Sequence, residues 1–478
     1  MKTIFIAIAF GTGIRDVLRN DIFNRLKDNS NLRIIIFLPE LDSAIIEEFE
    51  SDNVFIEKLI PYQPNFLERV LRHFTKALLR DKSSTINLGN VSGNKSVLNF
   101  FTPFARLVKL MLGDRRSLKL ISAFYRYLRP DQSYQSVFEK YSPDLVILSR
   151  VLDYSLDYPI MKTAAYYKIP SICLVSSWDN LTAKGFIPLR FSSMVVWNQV
   201  MKEEAVKLFH FSEEKIFVGG IPRFDFYFSS KNEFRSKKDF FSYLNIDPST
   251  KLITYTTGSK RLGRSKYSNI TPEPLIVNDI VKAINDKAID DVTLLIRLHP
   301  QAELSDYANI LSTCNKVVLY TPGKKMGFSD RVFDTKEDHL LAETLMHSAV
   351  IINFASTITI DSAVFNTPTV CVNYDPRMKV PKKYKLTRAY DFDHYKKLIQ
   401  LGKITIANSK EGLIEDINSY LANPHKDEEN RRLIVEHFCQ FSDGLSGRRT
   451  ANHIQDILYQ NTFNENERVP ANTAVLVS

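Results

Sequence analysis

The chain has 478 residues, 44% apolar and 24% charged, with 63 Lys+Arg against 54 Asp+Glu and a formal net charge of +9. Sixteen glycines and twenty prolines are too few for a fibrous or disordered class, and the length exceeds what one hydrophobic core serves, so two domains are expected. A small disulfide-stapled scaffold is excluded by length, and a basic nucleic-acid arm is excluded by so modest a surplus unless it is concentrated in one place.

The opening residues MKTIFIAIAFGTG carry a β-branched run without a small-residue cleavage pattern after it, and Thr3–Ala9 reads as a buried first strand rather than as a signal peptide. Further apolar, β-rich runs follow at Leu32–Phe37, Leu145–Leu148, Ser171–Val175, Met194–Trp197 and Ile216–Val218. After the polar stretch SSKNEFRSKKDFFSYLNIDPSTK the pattern restarts at Leu252–Thr256, Val292–Arg297, Val317–Tyr320, Val350–Asn353 and Thr369–Val372. Short strands alternating with longer amphipathic stretches mark βαβ units and parallel sheets. The expected fold is α/β: two Rossmann-like doubly wound domains facing a cleft, at residues 1–225 and 249–445, joined by a linker at 226–248. A closing helix at 446–460 and a frayed tail at 461–478 complete it.

Residues 66–130 break the alternation. Phe66, Leu67, Val70, Leu71, Phe74 and Leu78, and later Leu107, Leu110, Met111, Leu118 and Ile121, recur with helical spacing, so this segment is expected to be a helical insertion in the first domain. It holds thirteen basic residues and three acidic ones, a surplus of ten, which leaves the rest of the chain with one net negative charge. Two readings follow: docking on an anionic membrane surface, or a helical subdomain packing its stripes internally beneath a solvated basic face. No apolar run approaches the ~20 residues of a membrane span. Cys173, Cys314, Cys371 and Cys439 stand too far apart for a zinc site or a disulfide framework, which suits a cytoplasmic protein, peripheral on the inner face of the membrane under the first reading.

Polar clusters follow several strands. Gly11-Thr12-Gly13, with Arg15 after it, leaves the first strand; Asp16 replaces the third glycine of a dinucleotide fingerprint, so no nicotinamide cofactor is expected, and the segment is either a tight turn or an acceptor-facing loop. SSWDNLTAKG places Trp178, Asp179, Asn180 and Lys184 at the end of a parallel strand, where open α/β sheets bind ligands; Asp179 can accept a proton from an attacking hydroxyl, or Asp179 and Asn180 can simply cap a helix. In the second domain, TYTTGSKR supplies Thr257, Lys260 and Arg261, and RLHP puts Arg297 and His299 on one side, both able to donate to an anion. NFASTITID brings Ser356 and Thr357 to a helix start, with Asp361 one turn on. These loops form a candidate diphosphate seat. No HExxH or loop DxD supports a metal, and DFD at Asp391 to Asp393 reads as a solvated turn.

Taken in order, WDNLTAK at Trp178–Lys184, GIPRFD at Gly220–Asp225, TTGSKR at Thr256–Arg261, RLHP at Arg297–Pro300, FASTITID at Phe354–Asp361 and DGLSGR at Asp443–Arg448 resemble the CDP-glycerol glycerophosphotransferase (teichoic acid polymerase) family and its GT-B glycosyltransferase relatives. That family's pattern runs WHGTPLK, GYPRND, an APT-R loop, R-HP, DYSS-xxx-D and DG-x-x-x-R. The resemblance implies a nucleotide-activated donor held by the second domain and an acceptor held by the first. Where the family has the histidine thought to act as base, this chain has Asp179, which suits deprotonation of a sugar hydroxyl. The expected function is a metal-independent, inverting glycosyltransferase acting on a surface-polysaccharide or lipid-linked glycan, with Asp179 and His299 catalytic and no cofactor beyond the donor substrate. The alternatives are a CDP-glycerol-type polyol-phosphate transferase, a nucleotide-sugar 2-epimerase and a non-catalytic assembly component.

Overall fold

The computed structural model describes residues 1–78, 95–128, 130–149, 156–183, 187, 189–258, 272–300, 302–323, 334–377, 380–381 and 385–460. The chain divides into two compact units: Met1–Arg223 with the segment from Leu445, and Phe224–Lys325 with Asp330–Gly444.

The first unit is built on seven parallel strands, β1 (Lys2–Ala7), β2 (Leu32–Leu38), β3 (Val54–Lys58), β4 (Leu145–Leu148), β5 (Ser171–Leu174), β6 (Ser193–Val196) and β7 (Ile216–Val218). Their order is β3-β2-β1-β4-β5-β6-β7, so the chain reverses direction across the sheet between β1 and β4. Ile4, Phe5, Ile6 and Ala7 have no exposed surface: β1 is covered on both faces, which is why its sequence is a continuous apolar run rather than an alternation. The edge strand β3 was not expected, because its half-exposed pattern, with Phe55 facing solvent, gives no such run.

The second unit repeats the plan with β8 (Lys251–Thr256), β9 (Val292–Arg297), β10 (Val317–Tyr320), β11 (Val350–Asn353), β12 (Thr369–Val372) and β13 (Thr405–Ala407), in the order β10-β9-β8-β11-β12-β13. The three-residue β13 is too short to show a period. The segment 226–248, read from sequence as a linker, is folded: Lys237–Tyr243 is a helix whose Phe240 and Phe241 are fully buried against Leu252, Leu295 and Leu340. Its charged residues cover one face only, and the FF pair on the other face belongs to the core.

The connection from β3 to β4 carries the helical insertion, α1 (Phe66–Leu78) and α2 (Lys95–Tyr127). Helix α2 is broken at Gly113, whose φ of 72° and ψ of 164° lie where only glycine sits without strain. Both helices are tied to the sheet through α3 (Tyr158–Tyr166). There Lys162 Nζ donates to Glu68 Oε1 of α1 at 2.6 Å, with both side chains at most 1% exposed. The carboxylate also accepts from Tyr158 OH at 3.2 Å, from the Asn65 N–H at 2.9 Å and from Tyr62 OH. A buried ion pair is tolerable only when its remaining lone pairs are met, and these donors meet them. Lys162→Met is therefore expected to destabilise the protein by about 3–5 kcal/mol, and Lys162→Met combined with Glu68→Leu by less, because the second change removes the stranded carboxylate. Urea unfolding of the two variants checks this; equal losses would show that the carboxylate is not the source.

Candidate functional site

In the first unit, β5 runs into Val175–Asp179 and the short helix α4 (Asn180–Ala183). Trp178 and Asn180, expected to touch an acceptor, are 4% and 3% exposed, and Asn180 holds the turn: its Nδ2 donates to Ser176 Oγ at 3.3 Å and its N–H to the Ser177 carbonyl at 3.1 Å. Asp179, between them, is half-buried, and its carbonyl accepts from the Ala183 N–H at 2.9 Å. Gly11, Thr12 and Gly13 form a single helical turn. A Cβ at Gly13 would come within 2.9 Å of Ile8 Cγ2 and 3.4 Å of Ser149 Oγ, so this glycine lets the turn pack on the ends of β1 and β4. Its N–H is occupied by the Phe10 carbonyl at 2.9 Å, and Arg15 Nε donates to Asp16 Oδ1 at 3.2 Å. Lys184 lies outside the described residues.

A small cleft opens along the carboxyl ends of these strands, lined among others by Asp16, Ser149, Ser176, Trp197, Arg223 and Thr450. Arg223, the arginine of GIPRFD, places its guanidinium 4.8 Å from the Trp197 ring centroid and 3.8 Å from Asp16 Oδ1. Sequence reasoning did not connect Asp16 and Arg223, because more than 200 residues separate them and neither has a local partner signal.

In the second unit three loops leave one edge together. Thr256 pairs with Arg297 in β9 and with Asn353 in β11, so the chain exits all three strands at the same level, beside the reversal between β8 and β11. Thr257 braces the first two loops: its Oγ1 accepts from the His299 N–H at 2.7 Å, its hydroxyl meets the Tyr307 phenol, and it is 5% exposed. His299, Ser356 and Thr357 are partly exposed. Ser356 Oγ accepts from the Ile358 N–H at 3.3 Å, whereas the Thr357 side chain makes no capping bond to helix α5 (Ile358–Val364), contrary to expectation. Ala355 has φ of 37°, an unusual conformation for a residue with a Cβ that costs on the order of 1 kcal/mol, and it is held by its N–H bond to Tyr390 OH at 3.4 Å. Thr357 itself stands at the N-cap with helical angles, φ −58° and ψ −25°, rather than the extended backbone from which a cap hydroxyl reaches the free N–H groups.

Arg297 departs from the expected pairing with His299. It is buried, 5.1 Å from the Tyr320 ring centroid, with Nη2 3.6 Å from Glu337 Oε2, and Tyr320 OH donates to Glu337 Oε1 at 2.5 Å. Burial lowers the Arg297 pKa and Glu337 raises it. Asp361 is likewise buried and accepts from Tyr227 OH at 3.0 Å. Both residues support the edge from below. Glu337 has only a weak sequence signal: it is the fourth residue of a DTKE capping box, whose Asp334 accepts from the Glu337 N–H at 2.9 Å, and it reads as a helix start. Glu273 was missed altogether; it is buried and takes the Gly258 N–H on both oxygens, at 2.8 and 3.0 Å, fifteen residues away in sequence. Lys260 and Arg261 lie outside the described residues. Among the described residues no three His, Cys, Asp or Glu side chains are grouped to hold a metal ion. The four cysteines are free and buried, and burial pushes the Cys371 thiol up to about 11.

Residues 189–456, more than half of the chain, match the family model described as CDP-glycerol:poly(glycerophosphate) glycerophosphotransferase. The chain belongs to this family. Members are transferases, and the segment around Asp179 falls just before the matched residues. No curated protein matches the chain by sequence. Among solved structures, S. aureus MnaA with UDP is similar at 12% identity and a TM-score of 0.55, over 97% of this chain and 98% of that one. A variant of the wall teichoic acid polymerase TagF is similar at 13% identity and a TM-score of 0.52, over 96% and 89%. UDP-GlcNAc 2-epimerase from Neisseria meningitidis bound to UDP-GlcNAc gives 12% and 0.51, over 97% and 100%. At these identities the likeness is one of fold, two parallel-sheet units of the GT-B type.

Burial pushes the Glu273 carboxyl up to about 7, against the opposing pull of the Gly258 and Tyr255 hydrogen bonds. The folded state therefore holds a proton that the unfolded state releases near pH 4.5, and stability falls as pH rises from there to about 7, by on the order of 3 kcal/mol. Glu273→Gln is expected to flatten that slope in urea unfolding measured across pH 4.5–7.5, and an unchanged slope would contradict the assignment.

Proposed function

We propose that the chain transfers a sugar from a nucleoside-diphosphate donor, held by the second unit, to a hydroxyl of a surface-polysaccharide or lipid-linked glycan acceptor, held by the first, with inversion and without a metal. The observation carrying this reading is the common exit level of β8, β9 and β11, which gathers His299, Ser356 and Thr357 on one polar edge of the sheet. Ligands of open α/β sheets bind at such edges, next to the strand-order reversal. The His299 ring and the two hydroxyls are reachable donors for diphosphate oxygens, with Lys260 and Arg261 in the same proposed set. Arg297 and Asp361 act on this reading as positioning residues beneath them.

Asp179 is the proposed base. The acceptor oxygen forms a bond to the anomeric carbon, the bond from that carbon to the diphosphate breaks, the acceptor proton passes to the Asp179 carboxylate, and the electron pair leaves on the diphosphate. Charge that develops on the leaving group is stabilised by donors already fixed in place, and proton removal by a positioned carboxylate contributes about 10²–10⁴-fold. The family match favours a second reading, glycerophosphate transfer from CDP-glycerol, in which attack is at phosphorus and CMP leaves.

The released nucleotide separates the two. Incubated with UDP-, GDP- and CDP-sugars and CDP-glycerol in the presence of a glycan acceptor, the protein is expected to release a nucleoside diphosphate; CMP would establish the second reading, and turnover without acceptor would indicate epimerisation. Asp179→Asn is expected to lower transfer by at least about 10²-fold with donor affinity within about twofold. A near-normal rate would remove Asp179 from the mechanism.

A further inference from the structure

One buried carboxylate lies beside the polar edge of the second unit without a cation. Glu273, in the first turn of the helix Pro272–Asn285, is 2% exposed. Both of its oxygens accept the Gly258 N–H, at 2.8 and 3.0 Å, and Oε1 also accepts from Tyr255 OH at 3.2 Å. The Tyr307 phenol, from the chain that follows β9, acts on it as well, and Tyr374 acts on Tyr255. Burial pushes all three phenols above the ordinary tyrosine range, so none of them changes charge near neutral pH. Among the described residues no Lys or Arg pairs with Glu273.

Burying a carboxylate without a cation is costly, and a side-chain amide would meet the same N–H at less cost. The position of Glu273 gives the charge a use. Gly258 is the second residue after β8, and Lys260 and Arg261, two of the proposed donors to the diphosphate, follow it by two and three positions. The residue before it, Thr257, accepts the His299 N–H at 2.7 Å and meets the Tyr307 phenol. The carboxylate therefore stands where the first loop is rooted and next to the brace that ties this loop to the second.

We propose that Glu273 is a positioning residue for the donor: its ionised carboxylate fixes the Gly258 N–H and so sets the loop carrying Lys260 and Arg261 for the diphosphate. A carboxylate accepts an N–H about twice as strongly as a neutral oxygen does. The proton that burial keeps on Glu273 up to about pH 7 thus loosens the anchor, and its loss tightens it. The form that holds the loop best is the one that burial disfavours, a trade of stability for geometry that belongs to functional sites. The inference rests on the reading of this edge as a nucleotide seat and adds to it the residue that sets its first loop.

Glu273→Gln keeps an acceptor of the same shape without the charge, so it copies the protonated state at every pH. UDP-, GDP- and CDP-glucose, whose diphosphates do not titrate between about pH 6 and 8, are titrated calorimetrically into the full chain and into this variant. The ratio of the two affinities is the quantity read, because a titration of His299 is common to both proteins and cancels. For the sugar nucleotide that binds, the variant is expected to match the wild type near pH 6 and to bind about fivefold more weakly near pH 8. Hydrogen–deuterium exchange of the nucleotide-free proteins is expected to follow the same course: in the peptide containing Gly258, the wild type exchanges about fivefold more slowly than the variant near pH 8 and equally near pH 6. A ratio of one at both pH values, or a loss of equal size at both, would overturn the proposal and leave the nucleotide seat standing. Absence of binding by all three sugar nucleotides would remove the seat and the proposal together.

Discussion

Thr256, Arg297 and Asn353 lie abreast in three neighbouring parallel strands, and the chemistry of the second unit depends on that register. A parallel sheet covered on both faces is filled mostly by apolar side chains, so polar groups that must stay reachable collect where the strands end. Because the three strands end level, loops more than 40 residues apart in sequence meet there. What surrounds this edge keeps it in place. Arg297 and Glu337 pair beneath it, Tyr227 holds Asp361, and Tyr390, which also donates to the Val372 carbonyl at 2.8 Å, holds the bend at Ala355. None of these contacts needs a substrate, so the edge is formed before one arrives.

The first unit solves a related problem with different means. Its reversal between β1 and β4 is closed by a turn so tight that Gly13 admits no side chain, and Arg223 returns from the end of β7 to lie over Trp197. The helical insertion is attached by a charged pair kept dry. Lys162 and Glu68 stand more than 90 residues apart in the sequence, and the burial of Glu68 leaves the described outer surface of the insertion with base and almost no acid.

Most of the two sheets was legible in the sequence because a buried parallel strand is a continuous β-rich run, and eleven such runs mark eleven of the thirteen strands among the described residues. The strands that escaped, β3 and β13, are the half-exposed edge strand and the three-residue strand, where burial no longer writes a pattern. The loops at the strand ends were legible as polar clusters. Which of their residues face outward was not. Arg297 and His299 are two residues apart and look equivalent, yet the arginine is buried against Tyr320 and faces Glu337, which arrives from the helix Thr335–His347. Thr257 and Thr357 look like interchangeable hydroxyls until His299 claims the first and a helical backbone keeps the second from capping. The segment 226–248 read as a linker because charge dominates its composition, while the two phenylalanines that anchor it report their burial only through residues far along the chain.

The central claim is that the polar edge at the ends of β8, β9 and β11 seats a nucleoside diphosphate. Isothermal titration of UDP, GDP and CDP into the full chain tests it most directly, with Ser356→Ala, Thr357→Ala and His299→Ala as variants. One of the three nucleotides should bind, and each variant should weaken it by about tenfold, as expected for loss of a hydrogen bond to a charged group. Binding that is absent for all three nucleotides, or that survives all three substitutions unchanged, would contradict the account.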